Sequence, residues 1–108
     1  MVHTNSIQLH EGSNDKVLNW RFTLEQGFNL VLVYLQFDGS GVATVSSSGV
    51  VNLNPVFTSR FNVSWVSGHV TLVIFNVSTS DEGVFTCLLT DVSGNQWKRN
   101  IQVAVVGN

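Results

Sequence analysis

The chain has 108 residues and a mass of 11.8 kDa, which is enough for one domain with one hydrophobic core and too little for two domains of ordinary size. Hydrophobic residues make up 44% of it and charged residues only 11%, a composition that excludes a disordered chain. The net charge of -2, the pI near 5.8 and the lack of a basic cluster larger than Lys98-Arg99 argue against nucleic-acid binding. We therefore expect one domain that spans residues 1–108.

The sequence contains no apolar run long enough to cross a membrane. Its first residues lack the basic and apolar regions of a secretory signal peptide, so we expect a mature domain from which any signal has been removed. Attachment to a membrane would then depend on segments C-terminal to this domain.

Alternating apolar and polar residues predict strands along most of the chain, and almost nothing predicts a helix. The first predicted strands are residues 6–9 and 16–24, with a turn at 12–15 between them. Residues 30–37 are almost continuously apolar, which predicts a central strand covered on both faces. Residues 42–55 mix Ser, Gly and Asn with valines, a pattern typical of short edge strands and turns.

Two hairpins are predicted in the second half of the chain. In the first, residues 61–65 and 70–74 alternate on either side of a turn at 67–68. In the second, residues 84–90 and 101–105 flank a turn at 91–95. About nine short strands at regular spacing predict an all-β sandwich or a small barrel.

The segment 72–87, LVIFNVSTSDEGVFTC, resembles the region between strands E and F of immunoglobulin variable-type domains. The family pattern there is L-x-I-x-x-V-x-x-x-D-x-G-x-Y-x-C, and the segment matches it except that Phe85 replaces Tyr. Ser59-Arg60-Phe61 is similar to the start of the family's strand D, and Tyr34-x-Gln36 falls where strand C carries W-Y-x-Q. The resemblance implies an immunoglobulin-like, variable-type Greek-key β-sandwich of about nine strands without an intradomain disulfide.

The same resemblance assigns structural roles near strand F. Arg60 and Asp81 would form a charge-assisted hydrogen-bonded pair at the bottom of the sandwich, and Gly83 would let the chain turn into strand F. Phe85 lacks the hydroxyl of the family's tyrosine corner, so Asp81 and packing must hold this turn.

The family's disulfide is absent because the chain has a single cysteine. In the alignment Trp20 takes the place of the first disulfide cysteine, Val33 takes the place of the core Trp, and Cys87 keeps the second cysteine position. We expect the Trp20 indole to fill the volume left by the disulfide and by the small Val33, packed against Cys87. Cys87 itself is expected to be a buried, inert thiol, with an intermolecular disulfide or a reactive thiol as the alternatives.

Variable-type domains bind partners through the outer face of the sheet that contains strands G, F, C and C′, known as the GFCC′ face. Strand parity sends five residues of this chain to that face: Leu32, Tyr34, Gln36, Thr86 and Leu88. Since exposed apolar clusters of this kind mark partner surfaces, we expect these residues to bind a protein. Trp97 shares the parity of inward residues, but a bulge in strand G would expose it as a further anchor.

The loops at one end of the sandwich are the family's other binding surface. They correspond here to residues 25–29, 46–52 and 91–95, and the last of these is short for an antigen-binding loop. The F-G-x-G motif of antigen receptors is missing from strand G, which weakens a prediction of receptor-chain pairing.

Two sequons permit N-glycosylation, at Asn62 and at Asn76. Asn and Ser are so common here that both sequons arise readily by chance, although parity points Asn62 outward on strand D. His3, His10 and His69 are scattered without acidic or cysteine neighbours at ligand spacing, which predicts no metal site. No catalytic or cofactor-binding motif occurs, so we expect neither an enzyme nor a cofactor nor a small-molecule substrate.

Function then follows from analogy, because this fold serves many partners. We expect an ectodomain or secreted module of a cell-surface immune-type or self-recognition receptor, which binds a protein partner or a second copy of itself. Similar domains without the disulfide occur among invertebrate immune-type and allorecognition receptors. The alternative is a structural immunoglobulin-like module, intracellular or in the matrix, with no dedicated ligand site. The single Cys87 fits that alternative, whereas the long insertion 42–55 favours the variable type.

Overall fold

A computed structural model describes residues 3–22, 29–66 and 68–107, with side chains from residue 5 onward. Nine strands lie within these described residues. In chain order they are β1 (His3–His10), β2 (Asn14–Arg21), β3 (Leu30–Phe37), β4 (Ser40–Ser46), β5 (Val51–Leu53), β6 (Phe61–Val66), β7 (His69–Asn76), β8 (Gly83–Asp91) and β9 (Gln96–Val106). Single turns of 3-10 helix at Pro55–Phe57 and Thr79–Asp81 follow β5 and β7.

The strands form two sheets that pack face to face. The larger sheet has the order β1-β9-β8-β3-β4-β5 and the smaller has the order β2-β7-β6. The first and last strands, β1 and β9, pair in parallel, whereas the pairs β3–β8, β8–β9 and β2–β7 are antiparallel. The predicted all-β sandwich of about nine strands is confirmed, and Cys87 forms no disulfide.

Strand limits differ from the prediction mainly in β9. That strand begins at Gln96 instead of residue 101, because residues 96–100 continue the ladder with β8. β2 ends at Arg21, and the predicted continuation over residues 23–24 lies outside the described residues. The predicted turn residue 67 is also outside them.

The turn between β3 and β4 closes their hairpin and also contacts the start of β8. Asp38 and Gly39 have φ angles of 47° and 83°, the left-handed pair that joins antiparallel strands in a tight two-residue hairpin. The Asp38 carboxylate accepts a hydrogen bond of 2.8 Å from the backbone N–H of Val84 at the start of β8. A Cβ atom on Gly83 would lie only 2.5 Å from the Asp38 carboxylate oxygens, and Gly83 has φ of +154°. Gly83 is therefore needed for this close approach as well as for the entry into β8.

The core lies between the sheets and includes the residues that replace the disulfide. Trp20, Val33 and Cys87 are 2%, 1% and 0% exposed and belong to one continuous cluster of buried side chains. The indole Nε1 of Trp20 is buried with no hydrogen-bond partner among the described residues, which the sequence did not indicate.

Aromatic packing replaces the tyrosine corner around Phe85. Its ring stacks on Phe37 with centroids 4.5 Å apart and meets Phe61 edge to face at 5.6 Å. Beside this cluster, Arg60 Nη2 donates to Asp81 Oδ1 over 2.6 Å, and the Asp81 Oδ2 atom accepts from the backbone N–H of Ser78. The ion pair that the sequence predicts is thus present, and it holds the turn before β8.

Candidate partner-binding face

The larger sheet brings the five predicted partner-binding side chains together. We call their surface the outer face: Leu32, Tyr34, Gln36, Thr86 and Leu88. Tyr34 pairs with Leu88 across the β3–β8 ladder, and Gln36 pairs with Thr86. Residues directly opposite each other in an antiparallel pair project to the same side, so these neighbours form one continuous surface.

β3 is a central strand, but it is not covered on both faces as its apolar run predicted. Val33, Leu35 and Phe37 are buried against the smaller sheet, whereas Leu32 is 38% exposed. β8 and β4 flank β3 within the sheet, and its outer face shows half-buried Tyr34 and Gln36 beside Leu32. The apolar run therefore reflects one buried face and one open apolar face.

Tyr34 lies across the sheet toward β4. A Cβ atom on Gly41 would come within 2.8 Å of the Tyr34 hydroxyl and 3.2 Å of its ring, so Gly41 makes room for the flat ring. A shallow groove of about 380 Å³ runs beside it, with walls from Thr44 in β4 and from Asn52 and Pro55. The outer face thus combines the exposed Leu32 and the half-buried Leu88 with a recess next to Tyr34.

The outer face carries no charged side chain among its five residues. Lys98 stands opposite Leu88 in the β8–β9 ladder and is exposed, so a positive charge marks one margin of the surface. An uncharged apolar centre with a polar margin is the usual composition of a protein interface.

Trp97 does not belong to this surface, which corrects the prediction that it is a partner anchor. It stands opposite the buried Leu89 in a β8–β9 ladder without a register shift, so no bulge reverses its direction. Its side chain is partly buried and packs against the core. Strand parity, which already placed Trp97 inward, was the better guide.

The two end loops that the structure describes in full each expose a valine, Val92 at 63% and Val50 at 54%. In loop 91–95 the Asp91 Oδ1 atom accepts from the backbone N–H groups of Ser93 and Asn95 at 3.0 and 2.8 Å, which closes a tight turn. Loop 46–52 includes the exposed Val50. Of the predicted loop 25–29, residues 25–28 lie outside the described part of the chain.

Both sequons lie on strands of the smaller sheet. Asn62 and Ser64 are exposed on β6. Asn76 is exposed at the end of β7, where its Nδ2 atom donates to Asn14 Oδ1 over 3.3 Å.

The other groups with chemical potential are inert or isolated. Burial raises the pKa of the Cys87 thiol from 9.0 to about 12, so the group is a neutral thiol at physiological pH. No set of three or more His, Cys, Asp or Glu side chains is placed to hold a metal ion in the described part of the chain. Within the same ranges, no helix has the length and apolar character needed to cross a bilayer.

Two packed sheets with this strand order define an immunoglobulin-like β-sandwich domain, here without its disulfide. Two solved immunoglobulin-like domains have a similar fold. The first immunoglobulin-like domain of human CD48 antigen superposes with a TM-score of 0.77 and 19% identity over 97% of this chain and 84% of that chain. The V domain of amphioxus IgVJ-C2 gives 0.70 and 20% identity over 92% and 98% of the two chains.

Titin domains are also similar to this chain in fold. Titin domains z1z2, solved in complex with telethonin, give a TM-score of 0.73 and 19% identity over 96% of this chain and 45% of that chain. No protein-family model and no curated protein matches the sequence. At 19 to 20% identity these similarities establish the fold alone.

Proposed function

We propose that this domain is a variable-type recognition module of a cell-surface or secreted receptor, and that it binds a protein partner through the outer face. The observation that carries the proposal is the open apolar surface of the larger sheet, where Leu32 is 38% exposed beside Tyr34 and Leu88. Burial of such an apolar cluster against a partner is favourable in proportion to the area removed from water.

The variable type is supported by β4 and β5. These strands extend the larger sheet beyond β3, as the two additional strands of variable-type domains do. The resemblance to invertebrate immune-type and allorecognition domains adds the expectation of like-with-like binding.

A second copy of this chain is the partner that the outer face fits best. In a two-fold dimer the same patch meets itself, so the patch must be free of like charges at its centre and must combine a projection with a recess. The outer face fits both requirements, because its five residues are uncharged and the exposed Leu32 lies on the same face of β3 as Tyr34, which lines the groove.

The test is sedimentation of the purified domain over a range of concentrations, beside Tyr34→Arg and Leu88→Arg. We expect a dimer that either arginine abolishes, because a dimer of either variant would bury two like charges, one from each copy, at the centre of the contact. Val17→Arg, an equally apolar-to-charged change on the smaller sheet, is the matched control and leaves the dimer intact. Gln36→Arg provides a further change on the outer face, at a polar position. Circular dichroism shows whether each variant is folded.

The second candidate is a structural module, favoured by the similarity to titin and by the buried neutral thiol of Cys87. Such a module has no need of the outer face. A monomer at every concentration, with the arginine variants as stable as the parent, would contradict self-recognition and direct attention to this role or to the end loops.

A further inference from the structure

The outer side of the smaller sheet carries a second apolar surface, which we call the valine patch: Val17, Val73 and Phe75. Val17 is 48% and Phe75 38% exposed, and Val73 is half-buried between them. Val17 stands opposite Val73 in the β2–β7 ladder, and Phe75 follows two positions along the same side of β7.

The sequon residue Asn62 adjoins this patch directly. It stands opposite Val73 in the β6–β7 ladder, so Asn62, Val73 and Val17 form one row across the three strands. Ser64, the hydroxyl residue of the sequon, is exposed on the same side of β6. β6 is the terminal strand of its sheet in the described structure, which leaves Asn62 accessible at the edge.

We infer that Asn62 carries an N-linked glycan whose first sugars lie over the valine patch. This inference rests on the proposed function, because the modification requires passage through the secretory pathway. The oligosaccharide is transferred from a polyprenyl diphosphate donor to the Asn62 side-chain amide. A bond forms between sugar C1 and Nδ2, the C1–O bond to the diphosphate breaks, the amide loses a proton and polyprenyl diphosphate leaves.

The geometry favours the chain's own glycan, and not a partner protein, as the group that covers the valine patch. Neighbouring strands lie about 4.8 Å apart, so a sugar chain that leaves Asn62 across the sheet passes Val73 before Val17. The C–H faces of sugar rings pack well on apolar side chains, while their hydroxyl groups keep the surface solvated. A glycan at Asn62 would also obstruct protein docking on this side.

Asn76 provides the internal contrast. It belongs to the smaller sheet too, but it lies at the end of β7 opposite Asn14, outside the row of Asn62, Val73 and Val17. Its amide donates to Asn14 Oδ1, a hydrogen bond that glycosylation would disturb. Since both sequons belong to the smaller sheet, glycans at either site leave the outer face of the larger sheet open.

The experiment is secretion of the chain from animal cells behind a cleavable signal peptide, with glycopeptide mass spectrometry at each sequon. We expect Asn62 to be occupied. Asn62→Gln and Ser64→Ala, two different ways of removing the same glycan, should each raise the fluorescence of the apolar dye ANS about twofold or more. Asn76→Gln should not, and adding Val17→Ser with Phe75→Ser to Asn62→Gln should return the fluorescence to the parent level.

Two results would overturn the inference: an unoccupied Asn62 in secreted, folded protein, or an occupied Asn62 whose removal leaves ANS fluorescence unchanged. The same material in the sedimentation experiment separates this inference from the proposed function. A Tyr34-dependent dimer with a bare Asn62 contradicts the glycan alone, whereas an occupied Asn62 on a protein that never dimerises contradicts self-recognition alone.

Discussion

Trp20, which the resemblance predicts at the first cysteine of the family's disulfide, is almost completely buried between the two sheets. A disulfide in a loop of this length contributes about 2 to 4 kcal/mol, so the core must recover comparable stability from packing. Burial of the indole contributes to this packing, but its N–H group has no partner among the described residues, which costs part of the gain.

We expect Trp20→Ala to lower the free energy of unfolding by about 3 to 5 kcal/mol, because it removes a large buried side chain and leaves a cavity. Denaturant unfolding measures the change. Trp65→Ala is the control, since Trp65 is only partly buried at the edge of the core and should lose less. A loss below about 1 kcal/mol for Trp20→Ala would contradict its role in the core.

Cys87 predicts a specific response to alkaline pH. The unfolded thiol loses its proton above pH 9.0, whereas the folded thiol keeps its proton up to about pH 12. Folded protein therefore binds more protons in this window, and the free energy of unfolding falls as pH rises, by up to about 1.4 kcal/mol per pH unit. Cys87→Ala lacks this contribution.

The measurement is urea unfolding of the parent and Cys87→Ala at several pH values from 8 to 12. We expect the parent to lose stability more steeply between pH 9 and 12, while other titrating groups affect both proteins equally. Parallel pH profiles for the two proteins would show that the thiol is not buried in the folded state.

At the scale of elements, the contact between the β3–β4 turn and the start of β8 joins two distant parts of the chain. We expect Gly83→Ala to lower the free energy of unfolding by about 1 to 3 kcal/mol, because the new methyl group meets the Asp38 carboxylate in a strained backbone conformation. Thermal or denaturant unfolding measures this loss.

A double-mutant cycle separates the clash from the backbone strain. Asp38→Ala removes the carboxylate, so Gly83→Ala should be less damaging in that background than in the parent. If the losses of the two substitutions are additive, the backbone angle alone explains why glycine is needed at position 83.

The local sequence predicted the elements where alternation is clear and missed those that depend on distant pairing. Strands β6, β7 and β8 follow from the alternating and apolar patterns of residues 61–65, 70–74 and 84–90. The start of β9 was predicted too late, at residue 101, although residues 96–100 continue the ladder with β8. The parallel pairing of β1 with β9 joins opposite ends of the chain and leaves no local trace.

At the scale of the whole molecule, parity was enough to bring Leu32, Tyr34 and Leu88 to one surface once the sandwich was known. It was not enough to show that this surface is open. An apolar residue buried by another element of the same chain and one left for a partner obey the same alternation, so only the assembled sheets separate them. The fold thus gives an ambiguous apolar strand one buried face and one open face.

The outer surfaces of the two sheets also differ from each other. One bears the uncharged outer face, and the other bears both sequons and the valine patch. A sandwich with one bare and one sugar-coated side would allow only one orientation of contact, which restricts assembly to discrete pairs.

The parallel pairing of β1 with β9 has a mechanical consequence. Because the first and last strands run side by side in the same direction, the chain enters at one end of the sandwich and leaves at the other. Tension between the two ends pulls β1 and β9 past each other along their length. The hydrogen bonds from His3 beside Arg99 to His10 beside Val106 then carry the load together instead of opening one after another. Stretching the domain between its ends therefore loads the β1–β9 ladder in shear.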